Sequence, residues 1–566
     1  MSRLKWMVVP LIGAGCFLAG MAVQELRSPE RISDKAIALA EKLIGLSFNS
    51  DQRRLMQEDL EDHLANYQAI RQVDVPNHVP PALFFNPIPP AYEFPRQAAK
   101  VESSPTEKLE VPTRLEDLAF SSIGQLSLLI RTRQVTSEQL TRMYLDRLKR
   151  YGPKLECVVT LTEELALQQA RQADAEIAAG HIRGPLHGIP YGAKDLLSTK
   201  GVRTTWGSVP FQNQLIDADA TVVRRLREAG AVLVAKLTLG ELAWGDVWFG
   251  GMTRNPWNLK EGSSGSSAGS AAATSAGLVA FAIGSETWGS IVSPSTRCGV
   301  TGLRPTYGRV SRKGAMALSW SMDKLGPICR SAEDCALVLD AIYGPDGQDQ
   351  TVFDVPFHYT PRVNLRTLRI GYLQQDFLLE EAAETPEERE QQNATRSNEE
   401  AAMALLRSLG AELIPLKLPA LPVADLSLIL SAEAAAAFDQ LTLSGRDALL
   451  KRQVRRAWPN VFRAARFIPA VEYIQANRIR QLLVERMGEV MREVDLYLAP
   501  SDRGNHLLLT NLTGHPCVVV PAGFSSRGTP TSITLVGKLF DEGTILAVAR
   551  AYQEASGFHL KHPSLD

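Results

Sequence analysis

Three segments of this chain carry residues whose types and spacing could do chemistry. Lys194 lies near the end of Gly188-Ile189-Pro190-Tyr191-Gly192-Ala193-Lys194-Asp195. Further on, fifteen of the sixteen residues from Gly262 to Gly277 are Gly, Ser or Ala, Thr274 being the exception. A third segment, Gly284-Ser285-Glu286-Thr287-Trp288-Gly289-Ser290-Ile291, sets a serine beside a glycine. A serine hydroxyl is a weak nucleophile until a neighbouring base takes its proton. Lysine can be that base only where burial disfavours the ammonium. Taken one at a time, however, Lys194 reads as a surface lysine, Ser290 as a loop serine and Thr287 to Ser290 as a turn.

Each motif also has plainer readings. Residues 262–277 have the composition of a flexible linker. The apolar run Leu278 to Ile283 follows at once, however, and small residues between buried elements point to close backbone packing. Gly265-Ser266-Ser267-Ala268-Gly269 fits GxSxG, but a nucleophile elbow needs a strand before it, and Arg254 to Glu261 is polar and contains Pro256. Ser321-Met322-Asp323-Lys324 fits SxxK without accompanying KTG or SDN elements. His187, His559 and His562 suit surface or packing roles. With no HExxH, no CxxC and no clustered His, Asp and Glu, neither metal nor cofactor is expected.

The elements that must position these residues read as an α/β protein. Short apolar runs suited to buried strands, Val158 to Leu161, Ala231 to Ala235, Leu278 to Ile283, Arg369 to Tyr372 and Cys517 to Pro521, alternate with stretches long enough for covering helices, such as Glu163 to Ala179 and Ala220 to Gly230. Glu380 to Glu390, with six glutamates and one arginine, reads as a solvated helix start. The 566 residues are 45% hydrophobic and 22% charged, as in globular proteins. Lys plus Arg (61) nearly cancels Asp plus Glu (62), so a general nucleic-acid partner is not expected.

The N-terminus reads as an address. Arg3 and Lys5 precede an uncharged run from Trp6 to Val23, with small residues at Gly20 and Ala22. Residues 1–22 fit a secretory signal cleaved after Ala22, or residues 6–23 an uncleaved membrane tether. The expectation is an exported protein, periplasmic or membrane-anchored, in which Cys157, Cys298, Cys329, Cys335 and Cys517 could form disulfides. Residues 23–112 read as an extension. A helix carries Ala36, Leu39, Ala40, Leu43 and Ile44 as one stripe, a second helix is capped by Ser50 or Asp51, and a proline-rich tail wraps the main domain. Residues 113–566 form that domain.

From about Leu115 to Ala555, roughly four-fifths of the chain, the sequence resembles the amidase signature family. Ser264-Gly265-Ser266-Ser267-Ala268-Gly269-Ser270-Ala271 is similar to the family's Gly-Gly-Ser-Ser-Gly-Gly-Ser-Ala, and residues 284–291 to its Gly-Thr-Asp-Thr-Gly-Gly-Ser-Ile. Cys298-Gly299-Val300-Thr301-Gly302-Leu303-Arg304-Pro305-Thr306 is similar to Cys-Gly-x-x-Gly-Leu-Lys-Pro-Thr. Residues 188–195 match Gly-x-Pro-x-x-x-Lys-Asp/Glu, Thr253 to Trp257 matches Thr-Arg-Asn-Pro-Trp, and Val520-Pro521-Ala522-Gly523-Phe524 a closing segment. Trp288 stands in place of the first glycine before the nucleophile, Glu286 in place of Asp, Val292 in place of Arg and Ser264 in place of Gly.

The resemblance implies an amidase-signature fold, a central mixed β-sheet covered by helices on both faces, here with a small helical N-terminal extension. It also implies a Ser-cisSer-Lys mechanism. Carried over by position, Ser290 is the nucleophile, Ser266 the bridging serine and Lys194 the base. Thr287, Trp288, Gly289 and Ser290 offer their N–H groups as the oxyanion hole, and Ser267 supports Lys194 from behind. The family's peptide bond leading into the bridging serine is cis. The expected activity is hydrolysis of a small-molecule carboxylic amide through a serine acyl-enzyme, by an exported amidase. Two rival readings stand beside it. One is the glutamine-hydrolysing A-type component of a tRNA-dependent amidotransferase; the other is an inactive amidase-like binding protein with its site blocked by Trp288.

Overall fold

A strand buried on both faces carries apolar residues at consecutive positions, and successive side chains enter opposite cores. Val232, Val234 and Ala282 enter one apolar cluster, whereas Leu233, Phe281 and Ile283 enter another. The computed structural model describes residues 32–73, 75–105, 110–379 and 382–565, and these strands belong to its central sheet.

That sheet has eleven strands: β1 (Val158–Leu161), β2 (Pro190–Lys194), β3 (Val232–Leu237), β4 (Phe281–Glu286), β5 (Thr301–Arg304), β6 (Lys324–Cys329), β7 (Arg369–Tyr372), β8 (Glu412–Pro415), β9 (Leu496–Pro500), β10 (Cys517–Phe524) and β11 (Pro530–Gly537). Their spatial order is β8-β7-β9-β11-β10-β5-β6-β4-β2-β3-β1. The sheet is mixed. β2 runs parallel to both β3 and β4, β7 runs parallel to β8 and β9, and the pairs between β4 and β9 through β6, β5, β10 and β11 are antiparallel. Because β2 and β4 are parallel, Lys194 and the loop after Glu286 leave the sheet at the same edge. Ligands of α/β sheets gather at such carboxyl ends.

The run from Leu278 enters its strand three residues later than composition suggests, at Phe281. The Leu278 N–H still donates to Ala273 O at 2.9 Å and closes the preceding helix. That helix is part of the Ser-Gly-Ala stretch itself: Ala268–Ser275, buried along its whole length. The stretch is thus packing, not linker. A strand does precede it, Asn258–Gly262, but this pairs with Arg254–Asn255 in a separate hairpin outside the central sheet. The elbow geometry is therefore absent.

The chain divides after Val75 into a small and a large unit. In the small unit, α1 (Asp34–Ile44) and α2 (Ser50–Ile70) form a helical pair. The expected stripe is not the buried one. Ile37 and Glu41 are buried, while Leu39, Leu43 and Ile44 are exposed. An ion pair sets this face, Arg53 Nε donating to Glu41 Oε1 at 2.8 Å. Asn49, one residue before the expected Ser50, caps α2 through a capping box with Gln52. The proline-rich segment belongs to the large unit, which is why the division falls at Val75 and not near residue 112. Phe85 meets Tyr307 edge-on at 5.1 Å, the Arg480 guanidinium lies 3.5 Å from the Phe85 ring centroid, and the Tyr92 hydroxyl donates to Leu539 O. Lys100–Val101 pairs in parallel with His358–Tyr359. Cys157, Cys298, Cys329, Cys335 and Cys517 are all buried and unpaired, so none of the disulfides that export would permit is formed.

Candidate active site

Lys194 is the last residue of β2 and is wholly buried. Its Nζ donates to Ser266 Oγ at 2.8 Å, Ser285 Oγ at 2.9 Å, Ser267 Oγ at 3.0 Å and Ser285 O at 3.4 Å. Every partner is a neutral oxygen. Burial without a paired carboxylate depresses the amine pKa well below 10.5, only partly opposed by the fields of Asp323 and Glu286. This is the electrostatic setting that a lysine base requires.

Ser266 reaches Lys194 from the loop before the buried helix Ala268–Ser275, here α3. The Gly265–Ser266 peptide bond is cis. Gly265 lies so close to the backbone of Gly245 that a Cβ would collide with the Gly245 carbonyl. Ser267 knits the site together. Its Oγ accepts from Lys194 and from Ser285 N–H at 3.1 Å and donates to Ser285 O at 3.0 Å, while its N–H donates to Ser290 O at 3.1 Å. The residues named from sequence thus share one locus at the end of β2 and β4. Exposure rises from Lys194 (0%) through Ser266 (1%) to Ser290 (8%), leaving the last nearest to solvent.

Ser290 lies between β4 and α4 (Val292–Cys298). The N–H groups of Trp288, Gly289 and Ser290 meet no acceptor among the described residues. Gly289 has φ +82°, and a Cβ there would crowd Ser293 Oγ and Leu507. A side chain is better tolerated at 288: the Trp288 residue is 47% exposed, so its indole is not packed into the interior.

Two carboxylates hold the loop from behind. Glu286 is buried; its Oε2 accepts the N–H groups of Ile291 at 2.8 Å and Val292 at 3.0 Å, and its Oε1 accepts from Arg304 at 2.8 Å and Asn511 at 2.9 Å. Burial opposes its ionisation, but the Arg304 charge and these hydrogen bonds win and hold its pKa at about 2. Asp323 Oδ1 accepts from Thr287 Oγ1 at 2.6 Å. Burial raises its pKa despite that bond. Sequence reasoning missed Ser285 and Asp323 as site residues and treated Glu286 only as a substitution. The one local signal for Asp323 is its place inside the SxxK match at residues 321–324. Among the other aromatic residues near the site in sequence, Trp248 packs on Phe249 at 4.8 Å, and the Arg452 guanidinium lies over Trp244 at 5.1 Å. His187 lies 3.2 Å from Glu176, away from this locus. Among the described residues no group of three or more His, Cys, Asp or Glu could hold a metal ion.

The family model described as Amidase matches residues 139–509. The chain belongs to the amidase family. This amidase is 35% identical to the A-type component of glutamyl-tRNA(Gln) amidotransferase from Carboxydothermus hydrogenoformans over 497 residues, covering 79% of this chain and 100% of the relative. It is 36% identical to the protein of the same name from Roseiflexus sp., covering 76% and 96%. Among solved structures it is similar to the peptide amidase of Stenotrophomonas maltophilia, with a TM-score of 0.68, 30% identity, and coverage of 78% and 98%. Enzymes that act on amides thus stand on both sides of the comparison.

The relatives overturn the exported location. They are named as components of an enzyme of glutamyl-tRNA(Gln), and tRNA is cytoplasmic, so the location of these relatives is not an exported one. The segment that suggested export, residues 1–22 with the tether at 6–23, lies outside the described residues. Among the described residues no helix is long and apolar enough to cross a membrane.

Proposed function

We propose that the amidase cleaves a primary carboxamide through an acyl-enzyme on Ser290, with Ser266 as the proton bridge and Lys194 as the base. The observation that carries this reading is the environment of Lys194: buried, bonded to three serines and paired with no carboxylate. Neutral Lys194 takes the proton of Ser266 as Ser266 takes that of Ser290. Ser290 Oγ then bonds to the amide carbon. The negative charge on the former carbonyl oxygen is met by N–H groups from the set Thr287, Trp288, Gly289 and Ser290, donors worth about 3–4 kcal/mol each in such sites. The C–N bond breaks as the proton returns through Ser266 to the departing nitrogen, releasing ammonia. Water, deprotonated along the same path, releases the acid and restores Ser290.

The relatives' names favour the glutamine side-chain amide as the substrate, with the ammonia passed on for transfer, as in the A-type component of an amidotransferase. A second reading, a free-standing amidase for a bulkier acyl group, is supported by two observations. Trp288 borders the Ser290 loop where the resemblance has glycine, and the chain is similar to a peptide amidase. Ammonia release by the full chain from L-glutamine and from a C-terminally amidated peptide separates them. Preference for glutamine upholds the first reading and preference for the peptide the second. A fluorophosphonate adduct read by intact mass should form once on the parent and vanish in Ser290→Ala. A folded parent that takes no adduct would refute both.

A further inference from the structure

Residues 315–323 form a loop that touches both halves of the site. At its start, the Met316 N–H donates to Leu196 O at 3.0 Å, and Ala315 forms a β-bridge with Leu197, just beyond Lys194. At its end, Asp323 holds the Thr287 hydroxyl, while its other oxygen accepts the N–H groups of Leu318 at 2.8 Å and Ser319 at 3.0 Å. The loop joins the base to the residues preceding the nucleophile.

An irregular loop of this kind keeps its shape only if its backbone polar groups find partners elsewhere. From one side Glu433 accepts from Ser319 Oγ at 2.6 Å and from Ser321 Oγ at 2.7 Å. From the other comes the N-terminal segment. Asn77 Nδ2 donates to Ala317 O at 2.8 Å while Asn77 Oδ1 accepts the Ala317 N–H at 2.8 Å. One side chain thus makes both bonds of a sheet rung. The same Nδ2 lies 3.2 Å from Ala437 O. Other anchors of the segment, such as Tyr92 on Leu539, bind backbone that makes no bond to Lys194, Ser266, Ser290 or Thr287.

We propose that Asn77 is a positioning residue for the hydrolytic site, acting through Ala317 and Asp323 to set Thr287 and the N–H groups that follow it. The proposal rests on the reading of Ser290 as nucleophile. The extended segment is then a brace for the chemistry as well as a part of the fold.

The test is the rate of fluorophosphonate labelling of the full chain at several probe concentrations, beside the Tm of each variant. Asn77→Ala should slow the maximal labelling rate about tenfold, as small misplacements at active sites do, with half-saturation unchanged. Asn77→Asp, which keeps the shape and loses the donor, should slow it at least as much. Asn77→Ala combined with Asp323→Asn should be no slower than Asp323→Asn alone, because the two act in one path. Tyr92→Phe should lower Tm and label at the parent rate. Parent-rate labelling by folded Asn77→Ala, or losses that multiply in the double variant, would overturn the proposal. If Asn77→Ala does not fold, Asn77→Asp carries the same comparison. Labelling that persists in Ser290→Ala would overturn the nucleophile assignment itself, an outcome distinct from failure of the brace.

Discussion

Lys194 and Lys236 are two fully buried lysines on neighbouring parallel strands. Ala193 pairs with Lys236 in the register, so alternation turns Lys194 to one face of the sheet and Lys236 to the other. The next residue, Asp195, alternates back and meets Lys236 at 2.8 Å. Lys194 has serine hydroxyls and a carbonyl; Lys236 has a carboxylate. Burial lowers both pKa values, but beside Lys236 the Asp195 charge and hydrogen bond push back, whereas Lys194 falls far. Burial alone therefore does not make a base. The choice of partner does, and one dipeptide, Lys194-Asp195, supplies both the proposed base and the partner of a buried ion pair.

The contrast can be broken in order of effect. Lys194→Met should cut fluorophosphonate labelling by about 10³-fold, the scale of general-base catalysis, and leave the urea midpoint near that of the parent, since no buried ion loses its partner. Asp195→Asn should do the reverse in kind: about 3–5 kcal/mol of stability lost in urea unfolding, because Lys236 is left as an unpaired buried charge. A Lys194→Met variant as unstable as Asp195→Asn would erase the distinction.

Acidity sharpens it. With Lys194 as the proposed base, labelling requires its neutral form, so the rate should rise with pH and level off well below 10.5 when labelling is timed across a series of buffers. The Glu286 carboxylate titrates the other way. Its folded pKa of about 2 lies below the ordinary 4.5, so its contribution to stability is complete above that value and is lost as pH falls toward 2. Tm measured from pH 6 to pH 2 should decline over that window, and less so in Glu286→Gln. Smallest of all, Trp288→Gly should move stability by within about 0.5 kcal/mol, as expected of a half-exposed site. Its mark should be a changed ratio of glutamine to peptide-amide turnover.

What could be read before folding was what is local. Ser266, Ser267 and Ser290 sit among glycines and small residues whose spacing survives in the chain, and Lys194 ends an apolar run. Ser285 could not be read, because its value depends on the parallel register that lays β4 beside β2. Asp323 and Glu433 act across the sheet and from a distant helix, and Asn77 reaches Ala317 across 240 positions of sequence. No local pattern marks such pairs. The α1 stripe failed for a related reason: apolar spacing offered one face, but the Arg53–Glu41 ion pair between two helices fixed another. The exported location rested on a local pattern alone, Arg3 and Lys5 before an uncharged run with Gly20 and Ala22 near its end, and the relatives contradicted that location.

Among the described residues, five unpaired buried cysteines turn the core into a clock. Desolvation pushes the thiols of Cys157 and Cys517 up to about 12, so at neutral pH almost none of their sulfur is thiolate, the form that alkylates. A thiol reagent can react only after the surrounding segment opens. Cys157 lies just ahead of β1 at one edge of the sheet, and Cys517 begins β10 in its interior. Alkylation followed by peptide mass mapping would therefore time the opening of rim and centre separately, in a single tube and without any introduced label.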